Sequence, residues 1–189
     1  MANVSKNPLL KDVSGKFGDH IVYKTRGKKT TMARMPTKKE GKVKTEDQLK
    51  VNSRFNSASK YAKGAISSEA LKKEYQKKVS TQNTAFNVAF RDFLKAPQVT
   101  AINAEKYTGA VGSTITVNAV DDFKVAAVRV SIYNASGVLI EEGDALVDPI
   151  FEERWKYTVT QLNNTLEGTV IKAVATDLPE NTGTLSVTL

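Results

Sequence analysis

The chain has 189 residues, with 28 Lys+Arg against 20 Asp+Glu, a single His and no Cys. That length holds one large domain or two small ones, and 40% hydrophobic with 25% charged residues is the composition of a folded globular protein. Without Cys there is no disulfide, thiolate nucleophile or thiolate metal site, and His20 alone cannot build a multi-histidine centre, so we expect a non-enzymatic chain with no cofactor and no metal.

The first ten residues, MANVSKNPLL, lack the apolar run and small-residue cleavage site of a signal peptide. No stretch approaches the ~18 consecutive apolar residues of a membrane span. The expectation is a bacterial cytoplasmic product with no export signal and no membrane partner.

Gly15 and Gly18 open a segment that reads as a β-hairpin over residues 15–35. His20 to Lys24 favours an extended chain, Thr25-Arg26-Gly27-Lys28 supplies a turn in which Gly27 can take positive φ, and Lys29 to Met35 returns before Pro36 stops the strand. A hairpin alone is marginal in water, so it must dock on something. Between residues 24 and 44 stand nine cations, Lys24, Arg26, Lys28, Lys29, Arg34, Lys38, Lys39, Lys42 and Lys44, against one anion, Glu40. These are the candidate contact residues. They suit an acidic protein surface, or phosphates bound through counterion release. No zinc finger, RNP motif or helix-turn-helix accompanies them, so base-specific readout is not expected.

From residue 45 the period becomes helical. Thr45 with Gln48 has the spacing of a capping box, Glu46 and Asp47 favour the first turn, and Val51, Phe55, Ala58 and Ala62 share one face, with Gly64 as the expected stop. Ser67 or Ser68 caps a second helix with Leu71, Tyr75 and Val79 inward. Ser80 or Thr81 begins a third, in which Phe86, Ala89, Phe90, Phe93 and Leu94 form the most apolar stripe. Hairpin and helices are expected to share one core, a thin one at this length, which invites stabilisation by partners.

Charge and composition change at Lys95-Ala96-Pro97-Gln98. Residues 1–100 carry 22 Lys+Arg and 8 Asp+Glu, a balance of +14, and residues 101–189 carry 6 and 12, a balance of −6. Pro97 disfavours helix at the residue before it. We therefore read an α+β two-domain chain: residues 1–96, a basic anchoring domain of β-hairpin plus short helices, and residues 97–189, an all-β immunoglobulin-like sandwich. Opposite charge on the two modules suggests contact between them, within one chain or between copies.

Seven strands are expected in the second part: Val99–Asn103, Ser113–Val120, Val125–Tyr133, Val138–Glu142, Trp155–Thr160, Thr169–Thr176 and Gly183–Leu189. Trp155, the only Trp, is read as core filler in preference to a sugar-stacking platform. The adjacent carboxylates Asp121-Asp122, Glu141-Glu142 and Glu152-Glu153 point to opposite faces if on strands, so they are read as turn and edge charges rather than as an acid–base pair. Asp121, Asp122 and Asp177 could meet at one end of the sandwich around Ca²⁺, but with no EF-hand spacing the reading stays at no metal. His20 has no assignable Ser or Asp partner for a triad.

The segment Ile171-Lys-Ala-Val-Ala-Thr-Asp177-Leu-Pro-Glu-Asn181-Thr-Gly-Thr resembles the last hairpin of bacterial immunoglobulin-like repeats, and Asp121-Asp-Phe-Lys-Val-Ala-Ala-Val-Arg-Val-Ser-Ile132 resembles their Asp-x-x-x-Val-x-x-Val-x-Val strand. The resemblance implies a sandwich over most of residues 98–189 and little about function, since such domains serve as spacers and docking surfaces. Gly-Lys-Phe-Gly-Asp at 15–19, the Arg-Gly-Lys turn, Arg34 with Pro36, and Thr45, Gln48, Arg54 and Phe55 resemble the opening of an uncharacterised family from Bacteroidota-type bacteria and their phages. That family brings no catalytic residues.

The functional expectation is a structural or assembly protein of a phage virion (capsid, collar or tail) or a related injection machine. It would be anchored through its basic N-terminal domain among other subunits, as a homo-oligomer, and would present the sandwich. The alternative is a sequence-independent nucleic-acid-binding protein.

Overall fold

A computed structural model describes residues 2–36, 43–80 and 83–189. Among these residues the chain is mostly β, with three antiparallel sheets of four strands each and three helices.

The N-terminal sheet holds β1 (Ala2–Asn3), β2 (Gly15–Phe17), β3 (Ile21–Arg26) and β4 (Lys29–Arg34) in the order β1-β4-β3-β2. The expected hairpin is its centre, β3 turning into β4 through Gly27 and Lys28 with Gly27 at φ +54°. Positive φ at the first of two loop residues is what a type II′ connection requires. Fully buried Thr30 pins the long loop before β2 to this hairpin. Its amide donates to Ser5 Oγ at 2.7 Å, and its Oγ1 accepts from the Asp12 amide at 3.0 Å. Thr25 Oγ1 spends its proton on Val13 O at 2.8 Å, so Thr30 Oγ1 is the donor in the 3.0 Å contact between the two hydroxyls.

Thr45 and Gln48 form the expected capping box at the start of α1 (Glu46–Ser67). Gly64 does not end this helix. It runs on to Ser67, and the chain breaks at Ser68, which is extended and leads into α2 (Glu69–Gln76). Val51 and Phe55, expected inside, are 68% and 56% exposed, and burial begins only at Ala58. α1 is far longer than α2 and α3 (Ala85–Leu94): it meets the end of α3 at Arg54, whose Nη2 donates to Leu94 O at 2.8 Å, so Val51 lies before that contact, and Phe55 meets Phe90 edge-on with ring centroids 4.8 Å apart. Thr84 caps α3, its Oγ1 accepting from Asn87 N, so the helix begins later than expected from Ser80; Thr81 lies outside the described residues.

The helices bury Ala62, Ala65, Tyr75 and Ala89 together with Phe123, packed by Leu71, Phe86, Phe90 and Leu178. The core shared with the hairpin is thus not observed among the described residues. Two residues from the C-terminal half, Phe123 and Leu178, close the helical core instead, and the hydrogen bonds of residues 2–36 stay within that segment.

The C-terminal half is β-sandwich-like. One sheet takes the order β5-β6-β10-β9 and the other β12-β11-β7-β8, from β5 (Gln98–Asn103), β6 (Thr114–Val120), β7 (Val125–Tyr133), β8 (Leu139–Asp144), β9 (Leu146–Val147), β10 (Arg154–Thr158), β11 (Val170–Asp177) and β12 (Thr182–Thr188). Alternation selects the core: Ile115, Val117 and Ala119 from β6 lie with Val128, Val130 and Ile132 from β7, Trp155 and Tyr157 from β10, and Ile171, Ala173 and Ala175 from β11. The count is eight rather than seven because β9, two residues long, has no periodicity to read. Trp155 is 7% exposed, so its ring fills the core and offers no platform for a sugar.

Glu141 is not an edge charge. It is buried, and its Oε2 accepts from Tyr157 OH, Thr160 N, Thr160 Oγ1 and Gln161 N at 2.7–3.2 Å. Glu142 takes the opposite face and pairs with Arg129 at 3.8 Å. No helix among the described residues is long and apolar enough to cross a membrane.

Candidate functional site

Antiparallel partners lie on one side of a sheet and successive residues alternate sides, so the register assigns every strand residue of the N-terminal sheet to a face. Lys16 pairs with Val22, Lys24 with Thr31, and Arg26 with Lys29. Val22, Lys24 and Arg26 share a side, and Lys16 and Lys29 are placed there with them. Lys28 occupies the adjoining turn. Arg34 pairs with Ile21 and belongs to the opposite face, with Phe17, Tyr23 and Met32.

Of the nine cations singled out in the sequence, the fold therefore gathers Lys24, Arg26 and Lys29 beside Lys28. Arg34 is turned away, Lys44 stands exposed before the cap of α1, and Lys38, Lys39 and Lys42 lie outside the described residues. Lys16 joins the face unforeseen. The signal was available in principle, but only once the pairing of β2 with β3 is known. Lys16, Lys24, Arg26, Lys28 and Lys29 are all exposed, and among the described residues none of them forms an ion pair. A flat side with this charge and no strand carboxylate attracts anions by long-range Coulomb forces, in a salt-dependent way. His20 is exposed beside Ala2, Ile21, Met32, Ala33 and Arg34, which offer no nucleophile.

A second constellation lies where α3 meets the sheets. Asp92 near the C-terminus of α3, Asp121 just after β6 and Asp177 at the end of β11 each contribute a carboxylate oxygen, all within 4.8 Å of one another. Two of the three Asp residues weighed in the sequence thus converge. The third, Asp122, turns outward to Lys95 at 2.6 Å and Arg91 at 3.6 Å, and Asp92 takes its place. Nothing in the sequence around Asp92 marks it, since its burial comes from Tyr75 and the loops of the C-terminal half.

Asp92 and Asp121 are each anchored through one carboxylate oxygen, and Asp177 through both. Asp92 Oδ2 accepts from Tyr75 OH at 2.6 Å, and Tyr61 OH lies 2.7 Å from the same phenol. Asp121 Oδ2 accepts from the amides of Phe123 and Lys124, both at 3.0 Å. Asp177 accepts from Asn181 N at 2.6 Å and Asn181 Nδ2 at 2.7 Å, and that same Nδ2 approaches the carbonyls of Asp92, Phe93 and Lys95 at the end of α3. Asp92 Oδ1 and Asp121 Oδ1 are buried without a hydrogen-bond partner. Burial, reinforced by the neighbouring negative charges of Asp121 and Asp177, pushes the Asp92 carboxyl up to about 7, and burial also raises Asp177. Burial raises the phenols of Tyr75 and Tyr61 as well, so both remain protonated donors at neutral pH.

No protein-family model matches the sequence, and no curated protein does. Among solved structures, the chain is similar to one described as the crystal structure of a tetra-tandem repeat in the extending region of a large adhesion protein, at 16% identity and a TM-score of 0.33. The match covers 48% of this chain, which spans 22% of that one.

Proposed function

We propose that this is a non-enzymatic assembly protein that grips an acidic macromolecular surface through the basic face of its N-terminal sheet and carries a C-terminal sandwich as a docking or spacer module. One observation carries the reading: Lys16, Lys24, Arg26 and Lys29 share one side of a sheet whose hydrogen bonds are internal, with Lys28 at its rim. A small sheet with one charged face is a contact surface, because it buries too little to serve as a core.

The proposed division into residues 1–96 and 97–189 is favoured by two hydrophobic clusters, with Phe123 and Leu178 of the second part belonging to the helical one. It is topological more than mechanical, since Pro97 is buried and Lys95 reaches across it to Asp122. The strand orders β5-β6-β10-β9 and β12-β11-β7-β8 support the immunoglobulin-like reading: they follow that fold's A-B-E-D and G-F-C orders, with β8 as an added strand beside the C position. The proposed setting is a phage virion or related injection particle, with other subunits, acidic C-terminal halves of neighbouring copies among them, as partners.

The test is a triple charge reversal, Lys24→Glu with Arg26→Glu and Lys29→Glu, in the full chain. Wild-type protein should associate with its particle or with itself at low salt and release as salt rises, and the variant should not. Equal association by the variant overturns the reading. The same face favours the second reading, sequence-independent binding of nucleic acid. In that case the wild type is retained on arbitrary duplex DNA with a steep salt dependence.

A further inference from the structure

Three Asp side chains from three separate elements converge here, and Asp92 and Asp121 each carry a buried oxygen that no protein N–H or O–H reaches. A carboxyl taken out of water either keeps a proton, as the raised Asp92 can beside Asp121, or, once ionised, needs a compensating charge or donor. Asp92 is 1% exposed and Asp177 2% exposed, so water cannot fully supply it. Among the described residues no Lys or Arg pairs with Asp92, Asp121 or Asp177, and the nearby cations Lys95 and Arg91 are drawn to Asp122 instead.

We propose that Asp92, Asp121 and Asp177 form a Ca²⁺ site that clamps helix α3 onto the ends of β6 and β11. The donor set is all oxygen, which selects a hard cation over zinc, copper or iron. Mg²⁺ keeps several of its waters and is usually held by one or two carboxylates, whereas three protein carboxyls converging within 4.8 Å suit the more flexible, water-poor shell of Ca²⁺. The oxygens to be used are the unpartnered Asp92 Oδ1 and Asp121 Oδ1, whose sister oxygens are already held by Tyr75 and by the amides of Phe123 and Lys124. The carboxyls are thus pre-oriented by the fold, and waters complete the shell on the half-exposed Asp121 side. With three protein carboxylates the affinity belongs to the weak class, on the order of 10⁻⁴ to 10⁻³ M. The site is independent of the basic face and would stand if the assembly role failed.

The experiment uses the full chain after chelation and dialysis, titrated with Ca²⁺ or Mg²⁺ by calorimetry. In parallel, Tb³⁺ is excited through tyrosine, Tyr75 being hydrogen-bonded to Asp92. One Ca²⁺ per chain should bind, Tb³⁺ emission should appear and be displaced by Ca²⁺, and the thermal midpoint should rise by about 3 °C or more at tenfold the dissociation constant. Asp121→Asn should weaken binding at least tenfold, while Asp122→Asn, whose side chain faces Lys95, should keep it. Should Asp121→Asn fail to fold, the wild-type titration and Asp177→Asn decide. No saturable Ca²⁺ signal up to about 10 mM, well above that affinity class, an equal response to Mg²⁺, or undiminished binding by the Asp variants would overturn the assignment.

Discussion

Tyr75 donates its hydroxyl to Asp92 Oδ2 at 2.6 Å, and the pair spans the core between α2 and α3 at the point where that core meets Phe123 of the C-terminal half. The phenol is fully buried and its ring packs tilted against Phe123, centroids 4.5 Å apart, so the polar bond and the apolar contact are made by one side chain. Because Tyr75 spends its proton on Asp92, Tyr61 must donate in the contact between the two phenols.

Removing the inner hydroxyl should therefore cost more than removing the outer one. Tyr75→Phe leaves a buried carboxylate oxygen without its donor and should destabilise the chain by about 1–3 kcal/mol. Tyr61→Phe removes a donor from a phenol that keeps its own bond and should cost less. Urea unfolding of the two variants checks the order, and equal losses would show that the chain of hydroxyls does not run in this direction.

Glycine positions divide by what surrounds them. A Cβ on Gly183 would run into the Pro97 carbonyl, where the connection from α3 passes against β12, so Gly183→Ala should cost about 1–3 kcal/mol or force that connection to shift. Gly64 lies inside α1 with nothing within 4 Å of an added Cβ. Gly64→Ala should stabilise by about 0.5–1 kcal/mol through helix propensity. Opposite signs in one denaturation series are the expected result.

Burial and the facing Glu141 carboxylate push the Tyr157 phenol up to about 12. The folded state holds that proton more tightly than the unfolded chain, whose tyrosines titrate near about 10. Its contribution is therefore complete below about pH 10 and is lost as pH rises from there through about 12. Tyr61 and Tyr75 also ionise late, so the check is a difference: Glu141→Gln should move one late step of the phenolate absorbance, that of Tyr157, to lower pH. A Tyr157 that titrates with the exposed tyrosines would contradict the buried pair.

Deleting residues 1–44 should leave the helices and the sandwich with an unfolding midpoint close to that of the full chain, because the hydrogen bonds of residues 2–36 are internal. Circular dichroism melts of both proteins check this. The same deletion should abolish incorporation into the proposed particle, and unchanged incorporation would remove the anchoring role.

Much of the secondary structure was legible because its causes are local. Val125–Tyr133 is the strand expected residue for residue, since Val128, Val130 and Ile132 alternate with Arg129 and Ser131. The Thr45–Gln48 cap and the Gly27 turn are equally self-contained. The errors fall where length or neighbours decide. Gly64 looks like a stop but sits in a helix that tertiary contacts carry further, and Val51 and Phe55 share the apolar face of a helix that outruns its partners. Glu141 and Glu142 are alike in sequence, and only the pairing of β7 with β8 sends one inward and the other to Arg129.

Period, caps, turns and the reversal of charge near Pro97 are written in short stretches of chain, because they depend on backbone geometry and on side chains a few residues apart. The meeting of Asp92, Asp121 and Asp177, and the side of the sheet on which Lys16, Lys24, Arg26 and Lys29 assemble, depend on which distant segments become neighbours. Desolvation and charge–charge energy act through space, so these two features exist only once the strands are registered and α3 is seated.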